Sequence, residues 1–389
     1  MNNRPNSCNG GFDIVIGNPP YMNVEVESPY KKMNIYTDIA DGVVNKASMF
    51  LYSGMTMLGN KNGIISMIIP KSFYSVQSWS KIRNILLQNH TLIAINDVGK
   101  AFEKVGLEQG IVIMTNKRIQ NHIVSILKDG LLQNQIPQKY FEKNQIILSS
   151  VTSEIFNIIN KIEQKSILLG TIADMPRGIT EKSNVYTNKI AKDYIQVLGG
   201  TNIKQYLITD GNKRKPNRYT DINLRSLENK NHIFQQKRIC YQNLMSSLPK
   251  VVATIVPPGM PTDDTLNNLL LNNDIEQFQY ESILGILNSR LCTFYLKYRL
   301  LNCAQLTVHL DKPYIGKLPI PTVPSIQQKP LIDLVDKILT AKKENPQADT
   351  SALEHQIDLL VYHLYGLTFE EAKIIDENLT EEEFNITLI

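Results

Sequence analysis

"FDIVIGNPPY", residues 12–21, sets the reading of the whole chain. Phe12 to Ile16, with Asp13 its one polar residue, form a largely β-branched run that reads as a buried strand, and Gly17 ends it. Asn18-Pro19-Pro20-Tyr21 then make a stiff tip, because each proline fixes φ near about −65° and restrains its predecessor. Neither proline has an N–H, so the tip offers mainly acceptors: the Asn18 side-chain oxygen and a backbone carbonyl. Tyr21 adds a flat face. Two acceptors beside a stacking ring suit a planar exocyclic amine such as that of adenine. Hydrogen bonds from the amine would draw its lone pair out of ring conjugation and make the nitrogen more nucleophilic. That is catalysis by positioning and electrostatics, with no strong base.

Outward from the tip, strands and helices alternate. "ASMFLYSGMTML" (47–58) has helical spacing, with Met49, Phe50, Ser53, Met57 and Leu58 near one face. "GIISMIIP" (63–70) is a continuous apolar run closed by proline, as in a strand buried on both faces. "SWSKIRNILLQN" (78–89) reads as an amphipathic helix, and "TLIAIND" (91–97) and "GIVIMTNK" (110–117) as two further strands. This alternation predicts an α/β class with a mostly parallel sheet.

The rhythm changes after about residue 120. Residues 121–165 read as an interdomain connection, and from "SILLGTIADMPRGIT" (166–180) short strand-like pieces alternate with Gly, Pro and Asn turns. "LPIPTVPSIQQKP" (318–330) reads as a proline-rich linker. Beyond it the chain is helical: "ALEHQIDLLVYHLYG" ends at Gly366, a C-cap, and Thr368 with Glu371 has capping-box spacing.

A chain of 389 residues is long for one domain, so two or three are expected. It is 42% hydrophobic and 20% charged, a globular composition, and no apolar run approaches the roughly 20 residues of a membrane span. The polar start "MNNRPNSCNGG" has no signal-peptide core, which makes a cytoplasmic location the expectation. Four scattered cysteines without CxxC, and six histidines without HExxH, indicate neither a disulfide framework nor a metal site. A net charge of +4 is compatible with a polyanion partner but makes only a weak field by itself.

NPPY after a hydrophobic strand resembles the motif of amino-methyltransferases that use S-adenosylmethionine. The wider pattern is similar to the TaqI-like DNA adenine N6-methyltransferases and the related restriction–modification fusions. The resemblance runs through "MFLY" (49–52), "GIISMIIPKSF" (63–73) and "VGKAFEKVGLEQGIVIM" (98–114). It continues in "LGTIADMPRGIT", "VLGGTNIKQYLI" (197–208), "ILGILNSRLCTFYL" (283–296), "LTVHL" and "GKLPIP" (316–321), and ends in "EHQIDLLVYHLYGLTFEEAKII". It implies an α/β fold: a partial Rossmann-like methyltransferase sheet, then a mixed α/β target-recognition domain and a helical tail. Residues 1–120 would be the C-terminal part of the catalytic domain, 166–320 the DNA-specificity domain and 321–389 the helical extension.

The implied roles are specific. Asn18, Pro19, Pro20 and Tyr21 would form the catalytic tip, and Phe102 the second ring around a flipped adenine. Phe50 and Asn18 would border S-adenosylmethionine, while Lys213, Arg214, Lys215 and Arg218 would contact double-stranded DNA. Taken without the resemblance, Phe50 and Phe102 read as core residues, "GNKRKPNRY" (211–219) as a solvated loop and NPPY as a strand-ending turn. A glutamine methyltransferase of release factors shares NPPY, but such chains end soon after the catalytic domain.

One departure stands out. The family's Gly-rich cofactor loop should lie well upstream of the catalytic strand. "CNGG" (8–11) follows no strand, and "VLGGTN" (197–202) and "VPPGMP" (256–261) open no helix. The expectation is therefore the C-terminal portion of an adenine methyltransferase, with the cofactor-binding half on a separate chain or lost. It is active when that half is supplied, or else a DNA-binding specificity module or inactive remnant.

Overall fold

The alternating pattern around the tip builds one sheet. The computed structural model describes residues 11–386 apart from 25–28, 30–35, 40–43, 103–105, 181–184, 212–215, 246–249, 273–276 and 305–307, and of 57–61, 245 and 308 the backbone alone. The chain divides into two units, Met1–Phe156 with Tyr298–Ala304, and Asn157–Lys297 with Gln305–Ile389.

The first unit holds β1 (Phe12–Gly17), α1 (Lys46–Ser53), β2 (Gly59–Pro70), α2 (Ser80–Asn89), β3 (Thr91–Gly99), β4 (Gln109–Thr115), β5 (Ile123–Lys128) and β6 (Leu131–Pro137). The six strands form one sheet in the order β1-β2-β4-β3-β5-β6. β1 is parallel to β2 and β3 to β5, whereas β4 is antiparallel to both its neighbours and β6 to β5. The sheet is thus mixed rather than mostly parallel. The cause is local: no helix separates β3 from β4, so β4 turns back and inserts beside β2.

β5 and β6 fall where the sequence suggested a connection between domains. Asp129 and Gly130, with φ of 50° and 80°, form the two-residue turn that an antiparallel hairpin requires. β1 also differs from its reading as a buried strand: Phe12, Ile14 and Ile16 are 57%, 64% and 78% exposed, on the outermost strand of the sheet among the described residues. β2 fits the reading of a strand buried on both faces only in part: Ile65, Met67 and Ile69 lie in the core, whereas Ile64, Ser66 and Ile68 on the other face are half-buried.

The second unit centres on a four-stranded antiparallel sheet ordered Ala253–Val256, Arg238–Gln242, Leu266–Leu271, Ala173–Asp174. A separate ribbon pairs Arg218–Asp221 with Tyr194–Val197. Val197 and Leu198 enter two adjoining apolar clusters, one around Phe234 and one around Cys240. The proline-rich stretch is built into the fold: Pro319–Pro321 is a strand paired with Ser166–Leu168, and the helix Ser325–Glu344 follows. A short edge strand tolerates prolines because some of its N–H groups are not needed. The helix Ser351–Leu364 ends before Gly366 (φ 69°), and Thr368 and Glu371 form a reciprocal capping box. No helix among the described residues is long and apolar enough to cross a membrane.

Candidate functional site

Strand direction decides where the chemistry collects. β1, β2, β3 and β5 all point the same way, so their carboxyl ends share one end of the sheet. That is where an open α/β sheet binds ligands. Asn18–Tyr21 leave β1 there, Lys71 leaves β2, and the segment carrying Phe102 leaves β3.

At the tip, Asn18 and Pro20 are exposed, Pro19 is buried and Tyr21 half-buried. The Tyr21 hydroxyl lies 3.2 Å from Asn18 Oδ1 and 3.2 Å from the Ile68 carbonyl, and its one proton serves either acceptor. Burial raises the Tyr21 phenol above its ordinary value, so it remains a donor at neutral pH. An amide oxygen has two lone pairs, and this bond turns Asn18 Oδ1 while leaving one for another donor.

The tip loop is tied to α1. Met22 O accepts from Lys46 N at 2.8 Å, Asn23 bridges to Asn45, and the Asn45 side chain caps α1 by accepting from Ala47 N at 3.0 Å. Phe50 on this helix is 52% exposed, while Met49, Leu51 and Tyr52 face the core. The helical face inferred from spacing therefore splits, with Met49 inward and Phe50 outward.

Phe102 is 36% exposed in the segment between β3 and β4. Gln109, fully buried, accepts from Ala101 N at 2.8 Å and donates to Leu107 O, so one side chain clasps both ends of that segment. Beside it lies a buried ion cluster: Lys71 Nζ stands 2.7 Å from Asp97 and 3.5 Å from Glu108. Asp97 also accepts from Ser150 Oγ and, at 3.1 Å, from Gly99 N. Burial alone would raise the Asp97 carboxyl, but the Lys71 charge and these donors hold it below its usual value.

Gln109, Lys71, Asp97 and Ser150 were not singled out by motif. The signal available was a lysine directly after the buried β2 and an aspartate near the end of the buried β3; only the fold joins them.

In the second unit, Lys213, Arg214 and Lys215 lie outside the described residues. Arg218 is described and pairs with buried Asp263, and its guanidinium lies 4.9 Å from the Tyr186 ring centroid. Of the three glycine stretches, "CNGG" lies outside the described residues but for Gly11, and the two downstream ones form no cofactor loop. Gly199–Gly200 leads only into the three-residue turn Gly200–Asn202, and Gly259 (φ 87°) sits in a turn that opens no helix. Among the described residues no group of three His, Cys, Asp or Glu could hold a metal ion.

Comparison with known proteins agrees with this layout. Residues 2–103 match the Eco57I restriction-modification methylase family, and residues 195–320 the TaqI-like C-terminal specificity domain. The type II methyltransferase M.VspI of Vibrio sp. (strain 343) is 25% identical over 135 residues, covering 34% of this chain and 32% of that protein. The type II restriction enzyme and methyltransferase RM.Eco57I of Escherichia coli is 24% identical over 181 residues, 45% of this chain and 18% of that protein. The chain thus spans about a third or less of these relatives. In fold it is similar to the type IIL restriction-modification enzyme MmeI, solved in complex with DNA, with a TM-score of 0.60 at 10% identity over 96% of this chain and 57% of that one.

Proposed function

We propose, from the match of residues 2–103 to the restriction–modification methylases and of residues 195–320 to their specificity domain, that the chain methylates the N6 amine of adenine at a specific DNA site. The adenine is turned out of the duplex, because a stacked amine cannot reach a methyl donor. The observation that carries this reading is the exposed tip at the carboxyl end of β1, with Asn18 Oδ1 oriented by the Tyr21 hydroxyl.

Asn18 Oδ1 and a tip carbonyl accept the two amine hydrogens and concentrate the lone pair on nitrogen. Tyr21 stacks on the base, and Phe102, on the segment clasped by Gln109, covers its other face. The exposed ring of Phe50 fits the adenine end of S-adenosylmethionine, which supplies the methyl group. We assign its amino-acid end to a further segment or a separate chain, because no glycine loop among the described residues opens a helix. β1 is the outermost strand of the sheet among the described residues, the position at which a further strand would add, and this supports the assignment.

A second reading, a specificity module without catalysis, is favoured by the lack of a glycine loop opening a helix among the described residues. One experiment separates them: single-turnover methylation with the cofactor-binding part supplied. Asn18→Ala is expected to lower the rate by about a hundredfold or more, as loss of a preorganised polar contact does, with DNA affinity nearly intact. A full rate would make NPPY a structural turn.

A further inference from the structure

In the second unit a cleft of about 530 Å³ is lined by Arg218, Gln242, Thr265, Thr201 and Asn188, with Gly200 at its floor. Its polar groups are set by the fold. Gln242 Nε2 donates to the Gly200 carbonyl at 2.7 Å and the Ile203 carbonyl at 3.1 Å. Thr265 Oγ1 accepts from Gly200 N at 2.7 Å. Arg218 is held at two points. One Nη2–H is bonded to Asp263, whose side chain is 2% exposed, and the guanidinium lies over Tyr186.

Gly199 makes room for this arrangement: a Cβ there would stand 2.3 Å from Arg218 Nη2. Nε, Nη1 and the second Nη2–H of Arg218 have no hydrogen-bond partner among the described residues, so a two-pronged donor edge that includes Nη2 remains, and the side chain is 35% exposed.

Such an arginine suits a base better than a phosphate. Asp263 already balances its charge, so its long-range pull on a polyanion is weak. What remains is a fixed, flat, directional set of N–H donors. The major-groove edge of guanine presents two acceptors, O6 and N7, to such a fork. We propose that Arg218 is a specificity-determining residue that reads one guanine of the recognised DNA site, with Asp263, Tyr186 and Gly199 holding its guanidinium in register. This rests on the DNA-methylase reading above and deepens it.

The test is selection from a randomised duplex pool with the full chain, scored base by base. Wild type is expected to select a motif, and Arg218→Lys, which keeps a cation for Asp263, to lose its preference at one G·C pair by roughly five- to 150-fold. Gly199→Ala, which displaces the guanidinium without removing it, should weaken the same pair. Asp263→Asn frees the charge, so non-specific binding should tighten and its salt slope steepen by about one ion. Thermal melts of each variant confirm folding. Uniform weakening with an unchanged motif would make Arg218 a phosphate contact and overturn the proposal. An unchanged motif with unchanged affinity would make the Arg218–Asp263 pair purely structural and overturn it too. If wild type selects no motif at all, the site-specific DNA reading itself falls, and this assignment with it.

Discussion

The role proposed for Tyr21 rests on two parts of its side chain, and the two can be separated. Its hydroxyl orients Asn18 Oδ1, while its ring offers a stacking face. Tyr21→Phe removes only the hydrogen bond, worth about 0.5–1.5 kcal/mol, so methylation should slow roughly two- to tenfold. Tyr21→Ala also removes stacking, worth about 1–3 kcal/mol per base, and should cost correspondingly more. A mismatched target adenine costs less to extrude, so a mismatch should partly rescue Tyr21→Ala but leave Tyr21→Phe unchanged. Single-turnover rates on matched and mismatched duplexes give both comparisons; equal losses for the two variants would remove stacking from the account. The tip could be read from sequence because two prolines and a glycine constrain it locally. Gln109 could not, since its value comes from bonds to Ala101 and Leu107 made only once β4 is in place.

Elements show the same division between local and distant causes. β2, β3, β4 and α2 were legible because their apolar periods are long and uninterrupted. The β5–β6 hairpin carried its own signal in Asp129-Gly130 between two strand-forming runs, and was obscured by the polar residues Gln133, Asn134 and Gln135 on β6. β4 turns back on β3, its neighbour in the chain, but its second partner, β2, lies beyond α2 and β3 and is not marked by any local signal. At that junction Lys71 and Asp97 link the ends of β2 and β3, both nearly buried. Removing one partner strands a buried charge, so Lys71→Met should cost about 3–5 kcal/mol in urea unfolding. The pH dependence has a definite sign. The folded Asp97 carboxyl lies below its unfolded value, so its stabilisation is complete above about pH 4 and is lost as pH falls through the folded value. Urea titrations from pH 7 down to pH 2.5 should show this acid loss in wild type and a flatter limb in Asp97→Asn. Identical limbs would mean that Asp97 gains nothing from Lys71.

At the scale of the whole molecule, charge is the quantity that must be reconciled with the DNA partner proposed above. A net charge of +4 over 389 residues does not draw a duplex to every face. The attraction has to be concentrated, and "KRK" at residues 213–215 is a dense run of cations. Arg218, only three residues further on, is neutralised by Asp263 and adds little to it. Each phosphate neutralised on B-DNA contributes about 0.9 to the slope of log affinity against log salt. Replacing Lys213, Arg214 and Lys215 together by Ala should therefore flatten that slope by about 2–3 and weaken binding to all sequences alike, leaving the selected motif unchanged. Arg218→Lys should do the converse, changing the motif while the slope stays within about one ion of wild type. Titration of a fluorescent duplex across 50–300 mM salt measures the slope for each variant. If the triple substitution leaves the slope as in wild type, residues 213–215 form an ordinary solvated loop and the phosphate contacts must be sought elsewhere in the second unit.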